Sequence, residues 1–151
     1  MKTLVVYYSR TGKVKLAALS LAKELNADIC EIEDKDLRKG IFGFIRSGRQ
    51  SATKALANIE PIKLNLQEYD LVVLCSQVWA SNISSPARSF LIKYASDIKD
   101  IAYLLMHGAK NEYNEVMDEM DLILNKTRKW SISVPMRSEF EKTIKEFVQN
   151  L

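Results

Sequence analysis

Five short strand-like runs alternate with stretches of helical periodicity along this chain, and this alternation constrains the fold more than any other feature. It is typical of βαβ units built around a parallel sheet. The strands that it predicts are Thr3–Tyr8, Asp28–Glu33, Leu71–Cys75, Ile101–Met106 and Lys129–Val134. Leu71–Cys75 is apolar throughout, as expected for a central strand buried on both faces. Because crossover connections are right-handed, we expect a three-layer, doubly wound α/β domain with a five-stranded parallel sheet.

The helical periodicity is clearest in three segments. Apolar residues recur at helical spacing over Val14–Leu25, and Asn26 follows as a C-terminal stop. Ser84-Ser85-Pro86 predicts an N-cap followed by proline in the first turn. Ser138 and Glu141 have the spacing of a capping box and predict the start of the last helix.

Length and composition are those of one soluble globular domain over residues 1–151. The chain is 47% apolar and 27% charged, and it shows no repeat or low-complexity linker. No apolar run approaches the roughly 20 residues that a membrane-spanning helix needs. The N-terminus does not have the pattern of a signal peptide, so we expect a cytoplasmic location.

The few cysteine and histidine residues exclude several classes of site. Cys30 and Cys75 lie far apart, each within an apolar stretch, and form no Cys-x-x-Cys pair. With His107 as the single histidine, a zinc site or a histidine-based hydrolase is disfavoured. We therefore expect no metal and no catalytic protein residue, and we interpret both cysteines as buried, unpaired thiols.

Charge is unevenly distributed although the net charge is only +3. Residues 35–63 carry seven basic and two acidic side chains, whereas residues 112–121 carry five acidic side chains and no basic one. Proteins that bind nucleic acid usually interleave aromatic residues with such basic stretches or carry a known module. The sequence has neither, so we interpret the basic stretch as a solvated face and expect no nucleic-acid partner.

The loop after the first predicted strand is a candidate anion site. Ligands of such sheets bind beyond the carboxyl ends of the strands, where this loop lies. Backbone N–H groups at a helix start can converge there on a phosphate, with the hydroxyls of Ser9 and Thr11 as further donors. The alternative is an ordinary strand–helix turn with an N-cap, and the loop alone does not decide between them. The candidate residues are Ser9, Arg10, Thr11, Gly12, Lys13 and Val14. The loop has neither a Walker A nor a G-x-G-x-x-G pattern, which disfavours nucleoside triphosphates and NAD.

A second loop, after the third predicted strand, contains Trp79. A tryptophan there could simply cover the sheet edge. Next to a phosphate loop, however, its indole would suit a planar aromatic ring, and a ring with one phosphate describes FMN. The candidate residues of this loop are Ser76, Gln77, Val78, Trp79, Ala80 and Asn82.

Three segments carry a resemblance to a known family. They are Tyr7-Tyr8-Ser9-Arg10-Thr11-Gly12, the stretch from Tyr69 through Trp79 to Leu91, and Gly43-Phe44-Ile45-Arg46-Ser47-Gly48. Together they resemble the short-chain flavodoxin-like family, over nearly the whole chain. The resemblance implies strand order 2-1-3-4-5 and FMN at the carboxyl edge. It also implies that Ser9, Thr11 and Gly12 hold the phosphate and that Val78, Trp79, Ala80 and Asn82 flank the isoalloxazine.

The resemblance implies a third ligand loop at His107-Gly108-Ala109-Lys110-Asn111, from which His107 and Gly108 are further candidates. His107 could hydrogen-bond a flavin or substrate, or could be a surface histidine. Tyr113 could be an outer ring wall or a helix-packing residue.

The chain departs from the family pattern at four positions. Lys13 and Val14 stand where the family usually has Asn-Thr, Gln77 where it favours Pro, and Ser81 where it favours Gly. Val14 removes a hydroxyl donor, and Lys13 could compensate as a cation or point into solvent.

The resulting functional hypothesis is an FMN-binding redox protein. It would be an electron carrier, or an oxidoreductase that uses NAD(P)H or a quinone, with the flavin doing the chemistry. A binding or interaction module of the same fold that has lost FMN is the alternative. Binding of another phosphorylated ligand in the same loop is a third possibility.

Overall fold

A computed structural model describes residues 1–36, 40–108 and 113–151. Within these residues the chain forms six strands and five α-helices, with a 3₁₀ turn at Leu66–Glu68 before the third strand. In chain order they are β1 Thr3–Tyr7, α1 Lys13–Leu25, β2 Asp28–Glu31, α2 Gly40–Ala52, β3 Leu71–Trp79, β4 Asn82–Ile83, α3 Ser85–Tyr94, β5 Asp100–His107, α4 Asn114–Leu124, β6 Ser131–Pro135 and α5 Phe140–Gln149. No helix of the described part is long and apolar enough to cross a membrane.

The sheet has the order β2-β1-β3-β5-β6, and its strands pair in parallel. These five strands are the ones predicted from the sequence, so the doubly wound arrangement and its order are confirmed. The order reverses at β1 and β3, whose carboxyl ends therefore face an open crevice between neighbouring loops.

The third strand is longer than predicted, and it forms a hairpin with the additional strand β4. Its pairing with β5 continues through Ser76 and Gln77, both buried, and Trp79 then pairs with Asn82 in the antiparallel hairpin. The predicted end at Cys75 was wrong because Ser76 and Gln77 break the apolar pattern without leaving the sheet. Trp79 is consequently a strand residue and not a loop residue.

Each face of the sheet is covered by a pair of helices. Alternate residues of β1 and β3 point to opposite faces, as the pleat requires. Leu4 and Val72 belong to one core cluster with residues of α3 and α4, whereas Val5 and Val73 belong to the other with residues of α1 and α5. The three-layer architecture places the carboxyl-edge loops on a rigid base.

Two predicted helix ends lie where the sequence placed them, and a third does not. Asn26 ends α1 in a left-handed conformation, as predicted. Ser84 is at the N-cap of α3 and Pro86 is in the first turn, as predicted, but the Ser84 hydroxyl contacts that of Ser76 at 2.7 Å and does not cap the helix. Glu139 precedes α5 without capping it, while Ser138 donates to the Pro135 carbonyl, so the predicted capping box is not formed.

Cys30 and Cys75 are both unpaired thiols, as predicted. Cys75 is buried, but Cys30 is partly exposed because β2 is an edge strand. The expectation of two buried thiols was therefore wrong for Cys30.

Candidate functional site

The loops that follow β1, β3, β5 and β6 meet at the carboxyl edge of the sheet and, with α2, enclose a cavity of about 290 Å³. Seven predicted site residues line it: Arg10, Thr11, Gln77, Val78, Trp79, Ala80 and Gly108. Four further lining residues were not predicted: Phe44, Ser47, Gly48 and Met136. The structure thus brings half of the predicted residues to one cavity.

The start of α1 lies at one end of this region. Gly12 occupies the N-cap with φ 96°, no side chain of the described residues caps the helix, and its first turn contains no acidic residue. The Gly12 N–H donates to Ser9 Oγ at 3.0 Å, so Ser9 shapes the loop and keeps its own hydroxyl proton for donation. Open N–H groups and the positive end of the helix dipole favour a bound phosphate here.

Thr11 and Arg10 connect the start of α1 to the cavity. The Thr11 side chain is exposed and lines the cavity, so its hydroxyl is free of the core packing that fixes its neighbours. The Arg10 guanidinium lies 5.4 Å from the centre of the Phe44 ring, a distance compatible with a cation–π contact. A hydroxyl donor and a cation therefore lie at the same wall of the cavity.

Lys13 and Val14 lie beside this loop but do not line the cavity. Val14 is fully buried against the sheet, so only its backbone N–H can face a ligand. The Lys13 ammonium is 3.5 Å from the Met136 carbonyl, across the carboxyl edge. Val14 therefore stays a candidate through its backbone alone, and Lys13 is a cation at this edge.

Trp79 contributes to the cavity wall and to the core at once. Its side chain is only 8% exposed, and it packs edge to face against Tyr8, with ring centroids 5.6 Å apart. Phe44 faces the same cavity from α2. The cavity thus has an aromatic wall on the β3 side and another on the α2 side.

Gln77 is a buried polar residue of the cavity wall. It is 3% exposed, and within the described part of the chain its amide nitrogen has no hydrogen-bond partner. Its backbone pairs with Met106 of β5, which places it in the middle of the sheet edge. A buried donor without an acceptor lowers the stability of the fold, unless a group bound in the cavity accepts its hydrogen bond.

Several predicted site residues do not line the cavity. Ser76 is fully buried, with its hydroxyl held against Ser84, because it points to the other face of the sheet. The Asn82 amide donates to the Ala80 carbonyl at 2.9 Å and so stabilises the hairpin. Ser9, Gly12, Lys13 and Val14 belong to the loop and helix start already described.

His107 is the last residue of β5 and is buried, with its ring centre 4.9 Å from that of Tyr113. The surface-histidine interpretation is therefore wrong, and Tyr113 packs on His107 at the start of α4. Gly108 lines the cavity, whereas Ala109, Lys110 and Asn111 of the predicted third loop lie outside the described residues.

The residues that were missed come from α2 and from the segment after β6. Helix α2 turns small residues inward, including Gly43 and Ser47, and leaves Phe42 exposed. The similarity of the segment Gly43–Gly48 to the family was the available signal for Phe44, Ser47 and Gly48. Met136 follows β6 at the same carboxyl edge, so strand topology was the signal for it.

Burial and hydrogen bonding also act on Tyr7, the last residue of β1, beside the start of α1. Burial, followed by the 2.9 Å hydrogen bond to Glu31, raises the pKa of Tyr7 well above its ordinary range. This phenol is therefore neutral at physiological pH and adds no negative charge near the start of α1.

The residues present fit a planar aromatic group that carries a phosphate. The start of α1, Thr11 and Arg10 suit the anion, and Phe44 and Trp79 suit a ring. The amide nitrogen of Gln77 supplies a donor that has no acceptor among the described residues. This combination of donors and aromatic walls is the composition expected of a cofactor cavity.

Solved structures with the same fold were found, whereas no family model and no curated protein matches the sequence. A protein from Bacteroides uniformis, provisionally described as a flavoprotein, has TM-score 0.80 at 17% identity and covers 98% of this chain and 97% of its own. One from Bacteroides eggerthii, described in the same way, has TM-score 0.78 at 18% identity, with 99% and 96% covered. A flavoprotein in complex with FMN from Lactobacillus acidophilus has TM-score 0.67 at 18% identity, with 89% and 91% covered. Solved flavodoxins are also among the matches, one of them from Bacillus cereus with TM-score 0.62 at 15% identity, so the fold of this chain is flavodoxin-like.

Proposed function

We propose that this flavodoxin-like chain binds FMN at the carboxyl edge of its sheet and acts as a redox protein. The observation that carries the proposal is the continuity between the uncapped start of α1 and a cavity lined by Thr11, Phe44 and Trp79. The complex of the Lactobacillus acidophilus flavoprotein with FMN, which has the same fold, supports the choice of ligand.

Each end of the site has a separate task. The N–H groups of the first turn of α1, with Ser9 and Thr11, hold the phosphate, while Lys13 and Arg10 supply positive charge. Trp79 and Phe44 would contact the ring and exclude water from it. When bound, FMN supplies the redox chemistry, and the protein sets its potential through these contacts.

The proposed reaction partners are a redox protein or a small donor of the NAD(P)H or quinone type, in the cytoplasm. Redox proteins recognise one another through complementary charge, and this chain combines a net charge of +3 with an acidic stretch at 113–121. A strongly basic partner would therefore have to dock locally on α4 and not on the protein as a whole.

A binding module that has lost FMN is the second candidate function. The observation that favours it is the burial of Trp79, which offers a ligand only a small part of the indole. Val14, which provides no hydroxyl to the loop, points in the same direction. This candidate predicts a stable fold without flavin uptake.

Calorimetric titration with FMN and with riboflavin tests the proposal. Thr11→Val is expected to weaken FMN about tenfold or more, because a hydrogen bond to a charged group contributes about 1.5–3 kcal/mol. The affinity for riboflavin, which lacks the phosphate, should be the same in Thr11→Val as in the unmodified protein. Thr127→Val, an exposed substitution before β6 at the opposite edge of the sheet, is the matched control and should leave both affinities unchanged. Absence of FMN binding by the unmodified protein would reject the proposal in favour of the binding module.

A further inference from the structure

The side-chain amide of Gln77 is buried at a position where an apolar side chain would destabilise the fold less. On the same face of β3, Val73 and Cys75 precede it, and its neighbour in β5 is Met106. All three are apolar and buried. Gln77 thus interrupts an apolar stripe with a group that can donate two hydrogen bonds.

The described residues of the folded protein do not satisfy this group. The Gln77 amide nitrogen is shielded from solvent and, among the described residues, has no acceptor. Burying an amide without a hydrogen bond destabilises a fold, whereas a methionine of similar size would not carry this cost. The residue borders the cavity together with Thr11 and Trp79, so a ligand there can reach the amide.

We infer that the Gln77 amide donates a hydrogen bond to an oxygen or nitrogen acceptor of bound FMN. Without FMN this donor is unpaired, and the free protein is therefore less stable than it would be with an apolar residue at position 77. The inference rests on the proposed function and deepens it. The acceptor belongs either to the flavin–ribityl part or to the phosphate, and both accept the same kind of bond.

Two measurements on Gln77→Met test this role. Its FMN dissociation constant should rise about fivefold to tenfold, the latter corresponding to about 1.4 kcal/mol. Its urea midpoint of unfolding without FMN should equal or exceed that of the unmodified protein, because the unpaired donor is gone. These two effects have opposite signs, which a merely structural hydrogen bond would not produce. Gln149→Met, an exposed substitution at the end of α5, is the matched control and should change neither.

Riboflavin distinguishes the two sources of the acceptor. Equal weakening of FMN and riboflavin places it on the flavin–ribityl part, and weakening of FMN alone places it on the phosphate; either supports the inference. Unchanged FMN affinity in Gln77→Met overturns it, as does a lowered urea midpoint without ligand. In both cases FMN binding by the unmodified protein still stands. If the unmodified protein binds no FMN, the proposed function fails and this inference fails with it.

Discussion

Tyr8 and Trp79 pack edge to face, with ring centroids 5.6 Å apart and ring planes at 87°. Tyr8 directly follows β1 and Trp79 ends β3, so the contact joins the two loops at the reversal of strand order. Both rings belong to the core cluster beneath α3 and α4. The wall of the cavity is therefore fixed by the same packing that stabilises the fold.

This packing predicts that Trp79 affects stability as well as binding. Trp79→Ala should lower the free energy of unfolding by about 3–5 kcal/mol, because a buried aromatic side chain is removed. Trp79→Phe should lose less, since it keeps a ring against Tyr8. Urea denaturation of both variants measures the difference. A loss under about 1 kcal/mol for Trp79→Ala would show that the indole does not belong to the core.

Phe44 lines the cavity without being part of the core, so its substitution tests FMN binding separately from stability. Phe44 is 63% exposed and lines the cavity, whereas Phe42 on the same helix is 86% exposed and does not. Phe44→Ala should weaken FMN several-fold by removing an aromatic contact worth about 0.5–1.5 kcal/mol. Phe42→Ala is the matched control and should not change the affinity. Fluorescence titration of flavin compares the two, and equal affinities would remove α2 from the site.

The hairpin turn between β3 and β4 carries backbone strain. Ala80 and Ser81 have φ values of 46° and 57°, the left-handed region that asparagine and glycine occupy more easily in two-residue turns. The double substitution Ala80→Asn and Ser81→Gly should therefore raise the free energy of unfolding by about 1 kcal/mol or more. Thermal denaturation measures the change. A lowered midpoint would mean that the present side chains stabilise the turn in another way.

Glu119 links α4 to α3 and predicts a pH-dependent stability. It accepts from Arg88 at 3.1 Å and lies 2.9 Å from the Lys54 ammonium. Burial alone raises the pKa of Glu119, but the hydrogen bonds from Lys54 and Arg88 outweigh it and lower the pKa below its ordinary value. A carboxyl with a lowered folded-state pKa stabilises the protein above its unfolded-state pKa, and this contribution is lost as the pH falls through the folded value.

Glu119→Gln should therefore cost about 1–3 kcal/mol at neutral pH, because the buried Arg88 loses its charged partner. The difference from the unmodified protein should shrink below the ordinary pKa of glutamate and vanish in stronger acid. Urea unfolding across this pH range measures it. Glu24→Gln, an exposed change on α1, should stay within about 0.5 kcal/mol throughout. A difference for Glu119→Gln that did not depend on pH would contradict the role of the charge.

Hydrophobic pattern was sufficient to predict the centre of the sheet, because β1, β3 and β5 are runs of buried, largely apolar residues such as Leu71–Cys75, and the less buried strands β2 and β6 flank them. It failed where polar residues are buried for reasons outside the local pattern. Ser76 is satisfied by Ser84 eight residues later, and Gln77 lines a cavity, so β3 appeared to end too early. The hydroxyls of Ser84 and Ser138 likewise bond Ser76 and the Pro135 carbonyl, and not the backbone N–H groups of the helices that follow them.

The candidate site was predictable in its loops but not in its lining. Strand topology placed Thr11 and Trp79 at one edge, because the carboxyl ends of parallel strands lie together. The inward or outward direction of each side chain depends on tertiary packing. For that reason Val14 and His107 turned out to be buried beside the site, and Phe44 and Met136 were missed.

Titration of FMN into the Trp130→Phe protein tests the central claim most directly. This variant leaves Trp79 as the single tryptophan, while Trp130 packs on Phe147 in the core cluster on the other face of the sheet. FMN bound in the cavity should quench the Trp79 fluorescence and saturate at one FMN per chain, after correction for light absorbed by the flavin. Fluorescence that does not change beyond that correction up to about 1 mM FMN, the range of very weak binding, would contradict an FMN site at the carboxyl edge of this sheet.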